Sequence, residues 1–556
     1  MSPLARACLV LAALTPALAC HESKGSSEAP PFLELGLNDL GIETEVAFLA
    51  EGAVVAWVPE WDGDRNGDGD TSDVLLEVLS LADGRRTVVP FAFSANLGTG
   101  GGFVSYLVPE REAQADLNSD GDREDLVAHL LRVRDGQVLN LRLAVGIGTG
   151  VSGFQMAHSG ALVVLGVSEL AQDADLDGDG DRNSSEVFVY EADRGRSAWL
   201  GRGIAHPPVV SGRRAVLVSD ELTEGDLNGD LDQEDQVAWL YEADLGRIVE
   251  LRRAAQRVLL DGSMLALESC ECNLDELTPA GPPDLNGNGV PGDVFVELYD
   301  LESRRVRIAA PDTAGIWGLG GDLALLRSVD PQGRPGLVVY DRFTDAEFPL
   351  GEVGLLVPLP TFEDRRVAFS LNELSSGQDL NGDGVLADDV LHVFDARSGL
   401  LRSTGRLTLS TAQFRRNLVA FLSRLPTATE LPPATVVLLQ DLRSGAILRQ
   451  HPVASDFRLA DRHVVLTTPE QLVESDLNGD GDLLDEVVQV YDLATGETTN
   501  LRLALHGTDF PTPFEIEGDV VLFSVSEEEQ GADLDGDGTL DDFRLYALRL
   551  PEGPMG

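Results

Sequence analysis

The 556-residue sequence has little positive charge and few long apolar runs. Its 41 Lys and Arg residues oppose 94 Asp and Glu residues, which gives a formal net charge of −53 at pH 7. Nucleic acid is excluded as a partner, because phosphate backbones are bound by basic surfaces. No segment after the first 20 residues has 18 or more continuous apolar residues, so the sequence predicts no further membrane span.

Apolar residues are spread evenly and turn residues are abundant. Hydrophobic residues make up 43% of the chain, and short runs such as AVVAWV, EVFVYEA and VVQVYDL recur along its whole length, which argues against disorder. The 58 Gly and 28 Pro residues indicate many short elements separated by turns, so an all-helical protein is disfavoured.

The N-terminus has the layout of an export signal. Arg6 precedes an apolar run and small residues follow up to Cys20, which predicts a signal peptide over 1–19. Ala17-Leu18-Ala19-Cys20 resembles the lipobox of bacterial lipoproteins, which implies lipidation of Cys20 and an outer-membrane or cell-surface location. The alternative is ordinary cleavage and a secreted or periplasmic protein. Residues 20–31 predict a flexible tether, and 552–556 a short tail.

Of the four cysteines, Cys8 would leave with the signal and Cys20 would carry lipid. The Cys270-Glu-Cys272 spacing allows a small disulfide or half of a metal site. Since no further soft ligands lie nearby in the sequence, we expect a local disulfide or free thiols without a catalytic role.

An acidic segment recurs eight times, in its fullest form as Asp476-Leu-Asn-Gly-Asp-Gly-Asp-Leu-Leu-Asp485 before an apolar run. Successive copies are 51 to 59 residues apart, except for two intervals of 95 and 97 residues. Each long interval contains a degenerate copy, Asp330-PQGRPG and LPTATELPPAT respectively, so ten units of about 52 residues cover the chain. The first aspartates of the eight copies are Asp64, Asp116, Asp175, Asp226, Asp284, Asp379, Asp476 and Asp533.

Each unit contains four short apolar stretches with turn signals between them, and the acidic loop lies between the second and the third. This pattern predicts an all-β protein, a β-propeller of about ten four-stranded units over 32–551. The last unit lacks a fourth strand, and Phe32–Leu37 resembles the missing piece, so the N-terminal strand is expected to close the ring. One ring of ten units, two smaller rings in tandem and a β-sandwich array remain open.

The acidic loops have the composition of calcium sites. Ca²⁺ takes six to eight oxygen ligands, and acids at alternating positions can direct them inward around a glycine at position six. We expect up to eight Ca²⁺ sites. The candidate ligands, loop by loop, are Asp64, Asn66, Asp68, Asp70 and Asp73; Asp116, Asn118, Asp120, Asp122 and Asp125; Asp175, Asp177, Asp179, Asp181 and Glu186; Asp226, Asn228, Asp230, Asp232 and Asp235; Asp284, Asn286, Asn288, Val290 and Asp293; Asp379, Asn381, Asp383, Val385 and Asp388; Asp476, Asn478, Asp480, Asp482 and Asp485; and Asp533, Asp535, Asp537, Thr539 and Asp542.

The third loop meets the EF-hand pattern, with Glu186 at position twelve, although a strand-like run follows where the EF-hand helix would be. The loops more closely resemble the calcium loops of FG-GAP repeats in integrin α-chain propellers, from which most copies differ by one extra residue before the last acid. Leucine at position two, as in Leu117 and Leu477, is expected to anchor the loop in the apolar interior. In the first loop, Asp62 allows a shifted register.

The loops are expected to differ in calcium affinity. The fifth has Asn288 at position five and Val290 at position seven, which leaves only Asp284 and Asp293 charged, so it should bind most weakly. The fourth has Leu231 at position six, where a non-glycine residue must adopt the turn at a cost of about 1 kcal/mol.

No catalytic motif is evident, and the histidines show no paired spacing. The interpretation that follows is a calcium-stabilised binding or scaffold lipoprotein, anchored by lipid alone, that presents its ring to a protein or glycan ligand. The alternative is a secreted propeller enzyme, a lyase or hydrolase, with structural calcium.

Overall fold

The computed structural model describes residues 36–551 except 45, 61–62, 67–68, 70, 72, 90–92, 147–154, 230, 272–283, 311–312, 330–332, 353–359, 425–434 and 506–513. The predicted signal peptide, tether and tail lie outside the described residues. So do Cys20, Cys272, Asp68, Asp70 and Asp230, together with both degenerate loops apart from residues 333–336 of the first and 435 of the second.

The described strands form ten antiparallel four-stranded units, in which each strand pairs with the next along the chain. Units one to five consist of β2 (Val46–Ala50), β3 (Ala53–Pro59), β4 (Val74–Ser80) and β5 (Arg86–Val89); β6 (Phe93–Gly100), β7 (Phe103–Pro109), β8 (Leu126–Arg132) and β9 (Gln137–Ala144); β10 (Met156–Ser159), β11 (Leu162–Ser168), β12 (Ser185–Glu191) and β13 (Arg196–Gly203); β14 (Val209–Ser211), β15 (Arg214–Asp220), β16 (Gln236–Glu242) and β17 (Arg247–Ala254); and β18 (Arg257–Asp261), β19 (Met264–Cys270), β20 (Val294–Asp300) and β21 (Arg305–Ile308).

The second half repeats the pattern, and the last unit takes its outer strand from the N-terminal part of the chain. Units six to ten consist of β22 (Thr313–Gly320), β23 (Leu323–Val329), β24 (Pro335–Asp341) and β25 (Ala346–Glu352); β26 (Thr361–Glu363), β27 (Arg366–Asn372), β28 (Asp389–Asp395) and β29 (Leu400–Leu407); β30 (Gln413–Arg415), β31 (Leu418–Arg424), β32 (Thr435–Asp441) and β33 (Ile447–Val453); β34 (Asp456–Leu459), β35 (His463–Pro469), β36 (Glu486–Asp492) and β37 (Thr498–Leu505); and β38 (Glu515–Glu517), β39 (Val520–Ser526), β40 (Phe543–Arg549) and β1 (Gly36–Glu43).

Burial explains why the second and third strands of each unit are almost continuously apolar. In β3, six successive residues from Ala53 to Val58 are buried, so both faces of the strand are covered by protein. The fourth strands are largely exposed, as in β13, and their sequences are correspondingly polar. A strand covered on both faces cannot alternate between polar and apolar residues, which accounts for runs such as AVVAWV.

The apolar core shows that the units form one ring. Among the described residues it consists of ten clusters, and each cluster joins two consecutive units. The tenth cluster contains Leu522 and Leu545 of the last unit together with Val54 and Leu79 of the first. The all-β propeller prediction is therefore confirmed, and the single ring is favoured over two rings or a sandwich array.

The N-terminal strand closes the last unit, as predicted, but with different bounds. Strand β1 pairs antiparallel with β40, with Gly36 opposite Arg549 and Asp39 opposite Tyr546. It begins at Gly36, whereas the predicted segment was Phe32–Leu37, of which residues 32–35 lie outside the described residues. Leu40 and Ile42 of β1 enter the cluster that joins the last unit to the first.

Five one-turn helices, which the sequence did not predict, follow second strands in the described part of the chain. The helices are α1 (Glu110–Ala113), α2 (Glu221–Glu224), α3 (Glu373–Ser376), α4 (Glu470–Val473) and α5 (Glu527–Gln530). None of the described helices is long and apolar enough to cross a membrane.

Cys270, at the end of β19, is disulfide-bonded.

Ring closure can be tested at Ile42, whose side chain is 2% exposed between the last and first units. Ile42→Ala is expected to lower the free energy of unfolding by about 2–5 kcal/mol, because it leaves a cavity in that interface. Denaturant unfolding measures the change. Val88→Ala, at a position that is 46% exposed, is the control and should change stability little. Equal stability of the Ile42→Ala variant and the wild type would contradict closure by β1.

Candidate metal centres

A hydrogen bond between the first and the sixth residue recurs in seven of the eight acidic loops as the structure describes them. The carboxylate at position one accepts the N–H of position six, as from Gly121 to Asp116 at 3.2 Å and from Gly384 to Asp379 at 3.0 Å. Position six has a positive φ in every loop, which glycine adopts without strain. In the second loop the side-chain oxygens of Asn118 at position three and Asp120 at position five accept the N–H two residues further on, so the backbone winds around them.

The same pattern fixes the register of the first loop. Gly69 N–H donates to Asp64 Oδ2 at 3.0 Å, as the glycine at position six does to the first aspartate elsewhere. Asn66 Nδ2 donates to Asp73 at 2.8 Å, which matches the contact between positions three and ten in five other loops. The loop therefore begins at Asp64, and the shifted register from Asp62 is not adopted.

A buried glutamate accompanies every acidic loop, and sequence reasoning missed it. It stands directly after the second strand, its side chain is 0% exposed in all eight units, and its N–H donates to the carbonyl of loop position ten. The two units without an acidic loop have Asp330 and Leu425 at that place in the sequence. The eight residues are Glu60, Glu110, Glu169, Glu221, Glu271, Glu373, Glu470 and Glu527.

One oxygen of this glutamate fixes the start of the loop. Oε1 of Glu110 accepts the N–H groups of Leu117 and Asn118, and the N–H groups of positions two and three make the same contacts in the other seven units. The second oxygen differs between units. In four of the described glutamates it is buried without a hydrogen-bond partner: Glu60, Glu221, Glu470 and Glu527.

The loop acids converge on this glutamate. One carboxylate oxygen from each of Glu110, Asp120, Asp122 and Asp125 lies within 4.8 Å of the others. Equivalent groups form from Glu221, Asp232 and Asp235, and from Glu373, Asp383 and Asp388. Positions five, seven and ten therefore meet the buried glutamate, as calcium ligands from one loop would.

The electrostatics of these clusters are repulsive. Burial and the neighbouring Asp120 raise the pKa of Asp125 to about 7. Burial and Glu529 of the next unit raise the pKa of Asp485 to about 8, and burial raises the pKa of Glu527. Among the described residues, none of the eight buried glutamates forms an ion pair with arginine. The raised pKa values of Asp125, Asp485 and Glu527 thus reflect acids that are buried close to other acids.

The third loop departs from the twelve-residue pattern that the sequence suggested. Ser184 stands where the other loops have their closing aspartate, since its carbonyl accepts the Glu169 N–H and its hydroxyl bonds Glu169 Oε2 at 2.9 Å. Glu186 lies two residues further on, inside β12. This loop therefore has the same length as the others, and Glu186 does not close it as in an EF-hand. Glu186 still approaches Asp177 of the loop.

The fifth loop differs from the others because its own amide groups donate hydrogen bonds to its carboxylates. Asn288 stands at position five, where the other loops have aspartate, and its Nδ2 donates to Asp293 Oδ2 at 2.5 Å. The second oxygen of Glu271 accepts the Gly292 N–H at 3.1 Å. Neutral donors of the loop thus occupy oxygens of Asp293 and Glu271. That this loop binds calcium most weakly stays a prediction.

The loops also contact the following unit. Asn118 Nδ2 donates to the Ala171 carbonyl at 3.0 Å, and Asn478 Nδ2 donates to the Glu529 carbonyl at 2.9 Å. The predicted leucine anchors pack against the core clusters at Leu117, Leu176, Leu380 and Leu534. Each such loop is therefore attached both to its own unit and to the interface with a neighbour.

Two histidines lie in the interior of third strands. His129 and His392 are buried, and each ring Nδ1 contacts the carbonyl of the residue two positions earlier. Burial lowers the pKa of both. They therefore favour the neutral form in the core.

A sequence signal for the buried glutamate does exist. A glutamate stands four to six residues before the first aspartate in seven of the eight loops. The fifth unit obscures the signal, because Glu271 precedes Asp284 by 13 residues. Alignment of the units on their second strands, and not on the loops, would have revealed it.

No protein-family model and no curated protein matches the chain. Among solved structures it is similar to the β-propeller domain of the Trilobed protease from Pyrococcus furiosus (11% identity, 63% of this chain, 95% of that one, TM-score 0.29). It is also similar to Porphyromonas gingivalis dipeptidyl peptidase 4 (10%, 90%, 66%, TM-score 0.37) and to the tricorn protease (11%, 91%, 48%, TM-score 0.24). At these identities and scores the matches say nothing about activity.

The strain in the fourth loop provides a direct test of the turn. Leu231 has φ +78° and is 73% exposed, so it accepts the left-handed conformation without compensating packing. Leu231→Gly is expected to raise the free energy of unfolding by about 1 kcal/mol. The matched change Gly481→Ala, at position six of the ninth loop with φ +108°, should lower it. Urea unfolding of both variants checks the pair, and a destabilised Leu231→Gly variant would contradict the assignment.

Proposed function

We propose that this protein is a calcium-binding β-propeller whose loops hold cations along one rim of the ring. The observation that carries the proposal is the buried glutamate. It accepts the N–H groups of loop positions two and three in the eight units with a loop, it lies within 4.8 Å of loop acids at Glu110, Glu169, Glu221 and Glu373, and the two units without a loop lack it. In Glu60, Glu221, Glu470 and Glu527 the buried second oxygen has no partner in the described structure.

A bound divalent cation would offset the free-energy cost of burying these carboxylates. An ionised carboxylate removed from water costs several kcal/mol unless it is paired or bound to metal. The oxygen-only donor set, with acids at positions five, seven and ten and the glutamate opposite, suits a hard cation such as Ca²⁺. Backbone N–H groups already hold the other glutamate oxygen, so the site is oriented before the ion binds.

We further propose that the ring acts as a binding or scaffold module, exported and attached to a membrane through lipid on Cys20. This proposal requires no catalytic residue, because every cation would be surrounded by protein oxygens. A propeller enzyme remains the alternative. Calcium-independent turnover of a glycan or phosphoester by the purified protein would favour that alternative.

Calcium dependence of stability is the first test. Each site held at 100 times its dissociation constant adds about 2.7 kcal/mol of stability, so several sites should raise the melting temperature by many degrees. Metal analysis of the dialysed protein, together with thermal melts in calcium and in chelator, measures both effects. A protein without bound calcium, whose melt is insensitive to chelator, would reject the proposal.

The glutamate can be tested separately from the loop acids. Glu470→Gln keeps an oxygen for the N–H groups of Leu477 and Asn478 but removes the charge, so it should reduce bound calcium by one ion per chain. Glu271→Gln is the matched control, because the fifth loop compensates its own charge and should be empty at low calcium. Equilibrium dialysis counts the ions. Unchanged stoichiometry in Glu470→Gln would exclude the glutamate as a ligand.

A further inference from the structure

An acidic cluster of different composition lies between the third and fourth units. One carboxylate oxygen from each of Asp177, Glu186 and Glu224 lies within 4.8 Å of the other two. Asp177 belongs to the third loop and Glu186 to β12 of the same unit, whereas Glu224 is the last residue of α2 in the next unit. The cluster thus spans the boundary between two units.

Comparison with other units shows that the charge on Glu224 is not needed for packing. Glu224 Oε1 accepts the N–H of Gly203, in the outer strand of the preceding unit, at 2.8 Å. At the equivalent places, neutral Gln172 and Gln530 accept the N–H groups of Ala144 and Ala504 at 3.0 Å and 2.9 Å. Glutamine therefore suffices for this contact between units.

Glu186 is also unusual for its position. It pairs with Gly203 of the fourth strand. The equivalent residue is a fully buried valine in two other units: Val127, which pairs with Ala144, and Val487, which pairs with Ala504. An ionised carboxylate in place of a core valine is costly unless it is hydrogen-bonded, paired with a positive charge or bound to a metal.

That charge is not supplied by the described protein. Glu186 is 2% exposed, and its Oε1 has no hydrogen-bond partner among the described residues. A Cβ on Gly203 would lie 3.6 Å from this atom and 2.6 Å from Glu224 Oε1, so both oxygens border the space beside Gly203. Arg202 favours the charged form of Glu224 but is ion-paired with Glu250 at 2.5 Å.

We infer that Asp177, Glu186 and Glu224 form an inter-unit divalent cation site, at which one Ca²⁺ bridges the third and fourth units. The inference rests on the proposed calcium function and adds a ligand from a neighbouring unit. Two residues that set this boundary apart coincide here. Ser184 stands in place of the closing aspartate of the third loop, and Glu224 stands where the third and tenth units have Gln172 and Gln530. The cation takes its oxygens from both sides of the boundary.

Calcium counting by equilibrium dialysis on the full exported chain tests this site. Glu224→Gln reproduces the residue of Gln172 and Gln530, so the contact between units is kept while the ligand charge is lost. It is expected to remove one bound Ca²⁺ per chain or to weaken one site at least tenfold. Glu186→Gln should do the same, and the double variant should lose one ion and not two. Glu528→Gln, an exposed acid on α5, is the control and should bind as the wild type does.

The outcomes separate this inference from the proposed function. If the wild type binds several ions and Glu224→Gln binds as many with equal affinity, the inter-unit site is wrong and the loop sites stand. Loss of two ions in the double variant would also overturn the shared site. A wild type that binds no calcium would reject both proposals. A melting temperature for Glu224→Gln in chelator that equals or exceeds that of the wild type would show that the variant folds.

Discussion

Eight carboxylates, each removed from water at the end of a second strand, impose the main constraint on this structure. Each must be compensated where it lies, because ionised groups in the protein interior are costly. Main-chain N–H groups at loop positions two and three provide the first part of that compensation at every site. They also fix where the loop begins, so the loop acids at positions five, seven and ten are brought to the same point.

The two rims of the ring balance their acids in different ways. The turns that connect first to second strands and third to fourth strands lie at one rim. There, arginine supplies the counter-charge between units: Arg342 contacts Asp300 and Glu302 of the preceding unit as well as Asp322 of its own. The acidic loops connect second to third strands and therefore lie at the other rim. There, the buried glutamates have no arginine partner in the described part of the chain, and main-chain N–H groups of the loops hold their Oε1 atoms.

The sequence predicts the fold well because each unit repeats the same pattern of burial. The ten units, the four-strand pattern and closure by the N-terminal strand all follow from apolar runs and turn residues, since two covered faces leave few alternatives. The single ring could not be predicted, because the number of units in a ring depends on how neighbouring faces pack. Only the core contacts between the last and first units, such as Leu522 with Val54, decide it.

The site was predicted less completely than the fold. Spacing could mark the loop acids as candidates because they lie close together in sequence, and it predicted the strained turn at Leu231. It missed the buried glutamates, since an acid at a strand end resembles any exposed residue until its burial is known. It also placed Glu186 in the wrong role, because a match over twelve residues cannot show that Ser184 already occupies the closing position.

The sixth and eighth units show what the loops add to the ring. Both lack an acidic loop and the glutamate, yet their core clusters with each neighbour are as complete as elsewhere among the described residues. Apolar packing between units is therefore sufficient to form the ring. Calcium would act on a ring that is already folded, because it would reduce the repulsion between carboxylates at one rim. Structural zinc differs, since small zinc-binding domains need the metal in order to fold. The metal-free chain should consequently keep its strands while losing stability, and the contacts of Asn118 and Asn478 with the next unit would transmit occupancy of one loop to the interface beside it.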